Sequence, residues 1–206
     1  MSASPANSND RNVQIINADP TAIGLFGLAI VTLVASSQKL GITEGTALII
    51  PWAIFLGALA QLYASFRDSN LGNTFGATAF GGYGFFWLGV ATTWLIQNGV
   101  FGEKMMSSAD TKQLGFAFLG YLVFTLYMTY GAAGVSKILF LIFFFIDLLF
   151  LGLSMNVLGG SEFGHELAAY SELTISILSF YGSAAAVLNK HFNRVVIPPG
   201  APFVKR

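Results

Sequence analysis

The sequence predicts an all-α integral membrane protein with six transmembrane helices. Of its 206 residues, 54% are hydrophobic and only 10% are charged, and the mean hydropathy is +0.67. Soluble domains carry about 25% charged residues, so this chain lacks the polar surface of a soluble globule. A helix needs about 20 apolar residues to cross a bilayer, and the sequence contains six such runs. Continuous apolar runs favour helices over a β-barrel, whose strands would alternate.

The six predicted spans are separated by connections that are too short for a soluble domain. In order, they are Thr21–Ser37, Thr46–Phe66, Thr74–Gln97, Leu114–Gly131, Ile138–Met155 and Glu166–Leu188. We therefore expect one six-helix domain over residues 19–190, with a disordered, polar tail before it (1–18) and a second tail after it (191–206).

The first two spans begin with local signals. Asp19 is placed to cap a first helix whose first position is Pro20, and Gly24 and Gly27 follow near that end. The second span contains Pro51, which a helix tolerates near its start and which predicts a local kink beyond it.

The third span is rich in glycine and aromatic residues. Tyr83 lies between Gly82 and Gly84, about ten residues into the span, which is too deep for an interfacial tyrosine. Glycines let neighbouring helices approach closely, and a narrow pore lined by the rings fits this composition. For the same reason, the pattern Gly72-x3-Gly76 and the run Ala184–Ala186 predict close helix packing.

Six spans place both termini on one side of the membrane. That side carries seven basic residues and the opposite side three: Arg11, Arg67, Lys137, Lys190, Arg194, Lys205 and Arg206 against Lys39, Lys104 and Lys112. The positive-inside rule then predicts cytoplasmic termini in the cell membrane. The polar start of the chain lacks the apolar core of a signal peptide, so we expect the first span to be retained.

Several function classes are not expected. The net charge of zero does not favour nucleic acid as a partner. The chain has no Cys, and His165 and His191 are read as surface residues without partners at metal spacing, so neither a metal nor another cofactor is expected. An intramembrane enzyme would need a nucleophile–base pair, a metal cluster or a paired-acid motif, and we see none of these in the sequence.

Four segments carry a resemblance to a known family. They are ADPTAIGLFGL at 18–28, GALAQLYASF at 57–66, GNTFGATAFGGYGFFW at 72–87 and LNKHFNRVVIPPG at 188–200. They resemble the succinate–acetate permease family, also called the YaaH or acetate uptake transporter family. The resemblance implies a six-helix protomer with its own pore, assembled as a homohexamer in the lipid bilayer. It also implies transport of acetate and related small carboxylates, in some members succinate.

The resemblance also implies a narrow point formed by three bulky side chains, which fall on Leu28, Tyr83 and Ile146 here. Two departures from the family pattern are notable. Where the family usually has Asn-Pro-Ala-Pro-Leu-Gly, this chain has a segment that begins with Asp19-Pro20 and ends at Gly24. The change from Asn to Asp19 puts a carboxylate near the pore mouth. The helix-1 constriction position, often Phe in the family, is Leu28 here, and this departure is expected either to widen the constriction or to shift its selectivity.

Polar residues near the third span are candidates for the substrate path. Asn73 and Thr74 open this helix, where free N–H groups and the helix dipole favour an anion, and Asn73 is equally a plain helix cap. Thr78 follows one turn deeper on the same face, and Gln61 is a further polar candidate from the second span. The Tyr83 hydroxyl is a possible donor to a passing carboxylate.

The fifth and sixth spans each contain a buried acid, Asp147 and Glu172. Such a group costs about 2.5–3.5 kcal/mol on insertion scales. One hypothesis is that one of them takes up a proton and couples transport to proton movement; the alternative is a hydrogen-bonded structural acid. Asp147 follows Ile146 directly, so it should turn about 100° away from the constriction, toward a neighbouring helix or subunit.

The sequence therefore predicts a channel or secondary transporter for acetate and related carboxylates, with an apolar constriction that sheds water. The alternative within transport is a channel for a small neutral solute such as urea or an amide, and a scaffolding membrane protein is a third reading. Channel and proton-coupled transport are both compatible with the sequence, which also does not rank the carboxylates or fix the direction of net transport.

Overall fold

The computed structural model describes residues 18–204. Of the tail predicted at 1–18, only residue 18 is among the described residues. The basic residues Arg11, Lys205 and Arg206 also lie outside them. Six helices are long and apolar enough to cross a membrane: α1 Thr21–Lys39, α2 Ile49–Asn70, α3 Thr74–Gln97, α4 Thr111–Ala132, α5 Lys137–Gly159 and α6 Glu162–His191. A short helix, Glu103–Ser108, lies between α3 and α4.

The prediction of an all-α, six-span fold is confirmed. The third span matches its predicted bounds, whereas α6 begins four residues earlier than predicted. Ser161 accepts a hydrogen bond from the Gly164 N–H (3.1 Å) and caps a polar first turn that the apolar run does not reveal. Most helices extend beyond the predicted apolar runs, because their first and last turns are polar; α2 is the exception at its start, since it begins at Ile49 and not at the predicted Thr46.

The helix α2 changes its winding after Pro51. This proline stands in the first turn, where its missing N–H costs no intrahelical bond. The next eight residues, Ala53–Ala60, form a π-helix, and regular α-helix resumes at Gln61. The predicted local irregularity is therefore present as a wider turn. Such stretches often occur at functional sites.

The helices pack around the bundle in the order α4, α5, α6, α1, α2 and α3. Hydroxyl groups fasten neighbouring helices, because Ser176 and Ser183 of α6 donate to backbone carbonyls of α1 at 2.8 and 2.7 Å. The ring closes between α3 and α4, where Tyr121 donates to the Gly82 carbonyl at 3.0 Å. A ring of six helices leaves room for a central cavity.

Close helix approach occurs at several of the predicted glycines. A Cβ on Gly24 would collide with the Phe80 ring, and one on Gly84 would lie 2.8 Å from Leu62. Gly72 is different: it adopts φ +70° in the turn after α2, and within the described residues no atom lies within 4 Å of its added Cβ. The prediction that Gly72 packs helices together was wrong, since its role is to make the turn.

Candidate functional site

A cavity of about 680 Å³ lies among the helices at the end of the bundle where α1 begins and α6 ends. Five of the six spans contribute to its wall. Polar lining residues come from the helix ends and apolar ones from deeper turns, with Gln61 as the deep polar exception. The polar lining residues are Asp19, Thr21, Gln61, Asp68, Asn73, Ser136, Asn189 and Lys190.

The floor of this cavity is formed by the three residues that the family resemblance implies as the constriction. Leu28, Tyr83 and Ile146 line both the large cavity and a void of about 10 Å³ on its far side. All three are buried, with 6%, 4% and 3% of their surface exposed. A void of this size holds about one water molecule, so the three side chains close off the large cavity.

Aromatic packing closes the path beyond the constriction. Phe86 and Trp87 of α3 and Phe150 of α5 line the small void. Phe86 meets Phe150 edge to face at a centroid distance of 5.1 Å and Trp87 at 5.4 Å. Such contacts stabilise a fixed arrangement of rings. Within the described residues, the cavity therefore extends toward the end of the bundle where α1 begins, and packed rings fill the bundle on the other side of Leu28, Tyr83 and Ile146.

Tyr83 is held at the floor by both its ring and its hydroxyl. The ring lies 5.5 Å from Phe124 and 5.8 Å from Phe143. The hydroxyl is 2.9 Å from Thr125 Oγ1, and Thr125 itself donates to the Tyr121 carbonyl at 2.8 Å. The proton of Tyr83 consequently goes to Thr125. The hydroxyl is already used, so it is not the free donor to a carboxylate that we expected.

Asp68 is a lining residue that sequence reasoning missed. It lies two residues before the end of α2, is 2% exposed, and accepts a hydrogen bond from Asn73 Nδ2 at 2.9 Å. Asn73 in turn caps α3 by accepting from the Gly76 N–H at 3.2 Å. The cap and the cavity-lining interpretations of Asn73 are thus compatible. The available signal was the pair Arg67-Asp68, three residues before GNTFG, and such a pair is typical of an ordinary charged turn.

Gln61 is fully buried at the cavity wall. Its side-chain nitrogen donates to the Gly57 carbonyl at 2.7 Å, inside the π-helical stretch. The predicted polar candidates Thr74 and Thr78 differ from it: both are exposed on the outer surface of the bundle and neither lines the cavity. They share a face, as their spacing predicts, but that face turns away from the cavity.

The two acids that the sequence predicts to be buried within spans, Asp147 and Glu172, lie away from the cavity. Asp147 accepts a hydrogen bond from Thr129 of α4 at 2.7 Å, on the side of α5 that the helical rotation predicts. Glu172 forms a 2.8 Å ion pair with Lys39, which joins α6 to the last turn of α1 near the opposite end of the bundle. Each acid has a partner of the kind that a structural acid would have, although Asp147 Oδ1 is buried without a hydrogen-bond partner among residues 18–204. The role of either acid in proton coupling stays a prediction.

The N-terminal motif forms one edge of the mouth. Asp19 accepts a hydrogen bond from the Thr21 N–H at 2.9 Å, and α1 begins at Thr21, one residue later than predicted, with Pro20 as the flanking position. Asp19 lines the cavity, so the expected carboxylate at the mouth is present there. Gly24 lets Phe80 of α3 pack against α1 just below it.

The C-terminal strap (residues 193–204) crosses another edge of the mouth. The Ile138 N–H donates to the Pro199 carbonyl at 3.0 Å, and the Phe203 N–H donates to Ala133 at 2.9 Å. Asn189 holds the strap from α6 by donating to the Ile197 carbonyl at 2.7 Å. Pro199 lines the cavity. The predicted C-terminal tail is therefore, as far as it is described, a fixed part of the mouth.

Within residues 18–204, no group of three or more His, Cys, Asp and Glu side chains could hold a metal ion. His165 is exposed and contacts the Lys39 carbonyl at 2.9 Å, and His191 is exposed at the end of α6. The chemistry available at the cavity is that of carboxyl, amide, hydroxyl and one ammonium group around an apolar floor.

Comparisons with known proteins agree with this architecture. The sequence model of the GPR1/FUN34/yaaH family matches residues 4–204. The succinate-acetate/proton symporter SatP of Escherichia coli (strain K12) is 30% identical over 184 residues, covering 89% of this chain and 95% of the relative. Acetate permease A of Emericella nidulans is 27% identical over 194 residues, covering 88% of this chain and 65% of the relative. A solved structure of the bacterial acetate channel SatP aligns with a TM-score of 0.84 at 30% identity, covering 90% of this chain and 100% of that one.

Proposed function

The chain belongs to the GPR1/FUN34/yaaH family, and on this premise we propose that it transports acetate and related small carboxylates across the cell membrane. The relatives' names include a succinate-acetate/proton symporter and an acetate permease. The substrate path runs from the mouth beside Asp19 and Asn73 through the cavity to the constriction of Leu28, Tyr83 and Ile146. The main support for this path is that Leu28, Tyr83 and Ile146 are the residues that line both the large cavity and the small void, so they lie between the two.

The shape and chemistry of the path suit a short carboxylic acid. Acetate combines a methyl group with a carboxyl group, and the cavity combines an apolar inner wall with a polar mouth. An apolar constriction excludes strongly hydrated small ions because it sheds their water. Succinate, which is longer and has two carboxyl groups, would have to pass the same constriction in an extended form.

The same proposal includes the oligomeric state of the protein, its orientation in the membrane and its class as a transporter. We place both termini in the cytoplasm, so that the cavity opens to the cytoplasm, because the basic residues Lys137 and Lys190 lie at that end. We propose a homohexamer in the lipid bilayer; the exposed apolar face of α4, with Phe116, Val123 and Tyr130, offers a surface for neighbours or lipid. The protein acts as a transporter and not as an enzyme, which fits the names of its relatives.

The test is uptake of labelled acetate into liposomes that contain the purified protein. We expect uptake well above that of protein-free liposomes, and competition by unlabelled acetate but not by urea. Competition by urea alone would support the channel for neutral solutes, and absence of uptake would contradict the transport proposal.

A further inference from the structure

Two buried hydrogen-bond acceptors on the cavity wall have no partner. Within the described part of the chain, Asp68 Oδ2 and Gln61 Oε1 make no hydrogen bond, although their residues are 2% and 0% exposed and line the cavity. Buried polar atoms are nearly always paired, because an unpaired one loses its hydration without compensation. Gln61 Oε1 can only accept, so its missing partner is a hydrogen-bond donor, whereas Asp68 Oδ2 can either accept a hydrogen bond or carry a proton itself.

Local contacts fix which atom of each side chain stays unpaired. The nitrogen of Gln61 is committed to the Gly57 carbonyl, which leaves only the oxygen for another partner. The first oxygen of Asp68 is committed to Asn73. Neither group can rotate to offer a different atom without breaking its existing hydrogen bond.

The two acceptors are spaced along the cavity. Gln61 and Asp68 are seven residues apart on α2, about two turns, which places them on the same face and about 10 Å apart along the helix axis. Asp68 belongs to the mouth, together with Asn73. The stretch of helix from Gln61 to the end of α2 is about as long as the stretch from the start of α3 to Tyr83. Because these two helix ends adjoin, Gln61 lies at about the same depth as Tyr83 and belongs to the floor.

The charged and polar groups around the cavity do not favour a carboxylate anion near the floor. Among the described lining residues, the charged ones are Asp19 from the start of α1, Asp68 from α2 and Lys190 from the end of α6. The wall between Asp68 and the floor is apolar, with Leu25, Ala79 and Ile142. The polar groups at the floor are an oxygen acceptor and a tyrosine whose proton is used. A carboxylate anion would meet no free donor there, whereas an undissociated acid brings its own.

Resting on the proposed function, we infer that the substrate reaches the constriction as the undissociated acid: Asp68 supplies the proton at the mouth, and Gln61 Oε1 accepts the acid hydroxyl at the floor. In the first step the O–H bond of protonated Asp68 breaks and an O–H bond forms on one carboxylate oxygen of the substrate. Asp68 remains as a carboxylate and is protonated again by a hydronium ion from the solution at the mouth. The neutral acid then donates to Gln61 beside the constriction. When the acid arrives from the constriction instead, as in uptake through a mouth that faces the cytoplasm, the same transfer runs in reverse and Asp68 passes the proton to water.

This assignment differs from the hypothesis for Asp147 and Glu172. Those acids lie off the cavity with Thr129 and Lys39 as partners, so they do not meet the substrate on this path. The groups beside Asp68 are Asn73 from the start of α3, which donates to it, and Asp19 from the start of α1. Lys190 from α6 lines the same cavity, and Arg67 precedes Asp68 in the sequence. A proton delivered here crosses with the substrate, so no net charge moves.

The test compares Asp68→Asn with the parent in liposomes whose membrane potential is set with potassium and valinomycin. In the parent, we expect the acetate uptake rate to be unchanged by the potential and to rise with an inward proton gradient. In Asp68→Asn, the side chain can still accept from Asn73 but cannot supply a proton. We therefore expect its uptake to lose the proton-gradient stimulation and to fall at least fivefold or become dependent on the potential.

Two further variants complete the design. Glu44→Gln removes an exposed carboxylate from the connection between α1 and α2 and should behave as the parent. Gln61→Met keeps the length of the side chain without its acceptor and should lower uptake while leaving the proton stimulation in place. Potential-dependent uptake by the parent, or unchanged proton stimulation in Asp68→Asn, would overturn the inference while leaving the transport function standing. No uptake by the parent would instead contradict the proposed function itself.

Discussion

Replacing Tyr83 with alanine is expected to let acids larger than acetate through the protein. The Tyr83 ring is one of three side chains that close the cavity, and it is 4% exposed between Phe124 and Phe143. An apolar site distinguishes two substrates by about 1–3 kcal/mol for each methylene group in which they differ. Without the ring, the preference for acetate over butyrate should therefore fall about tenfold or more. The measurement is uptake of the two labelled acids side by side in liposomes.

The variant Tyr83→Phe serves as the control for this prediction. It removes the hydroxyl, which donates to Thr125, and keeps the ring that narrows the path. We expect its preference for acetate to match that of the parent. An alanine variant that keeps the parent's preference, at measurable flux, would mean that Tyr83 does not set the width of the path.

Replacing Gly152 with alanine is expected to destabilise the bundle. At this position α5 and α6 meet backbone to backbone: a Cβ on Gly152 would lie 2.6 Å from the Gly164 carbonyl oxygen and 2.7 Å from the Ala168 nitrogen. Backbone atoms cannot move aside as a flexible side chain can, so the two helices would have to separate. Overpacking of this kind costs about 1–3 kcal/mol, and the Tm of the purified protein in detergent should fall by several degrees.

Gly89 provides the matched control for Gly152. It lies within α3, and among residues 18–204 no atom comes within 4 Å of an added Cβ. Alanine forms helix better than glycine by about 1 kcal/mol, so Gly89→Ala should leave Tm unchanged or raise it slightly. Equal Tm values for Gly152→Ala and the parent would show that the close contact between α5 and α6 is not needed for stability.

The sequence predicted the six spans well because crossing a bilayer demands a long apolar run, which any reader of the chain can find. It predicted poorly which face of each helix is turned toward the cavity. Thr74 and Thr78 were placed on one face correctly, but a membrane helix is apolar all round, so nothing in the pattern says which face meets the cavity. Gly72 shows the same limit, because a packing glycine and a turn glycine look alike in sequence.

The candidate site depended on contacts that sequence does not display. Leu28 and Ile146 are ordinary apolar residues of their helices, and only the family resemblance singled them out. Asp68 was missed because its burial arises from Asn73 and Gly76 folding back over the end of α2. Local sequence shows a charged turn there, and burial becomes visible only when α3 packs against α2.

If acetate passes through the cavity, blocking the cavity must stop its transport. The chain has no Cys, so a single cysteine can be labelled selectively. Ala186 lines the cavity, whereas Ser107 is exposed on the short helix between α3 and α4 and does not line it.

The variants Ala186→Cys and Ser107→Cys would each be labelled in detergent with a bulky thiol reagent, checked for complete labelling by mass spectrometry, and reconstituted for acetate uptake. We expect labelling to reduce uptake by Ala186→Cys to that of protein-free liposomes and to leave uptake by Ser107→Cys unchanged. If fully labelled Ala186→Cys transports acetate at its unlabelled rate, acetate does not pass through this cavity.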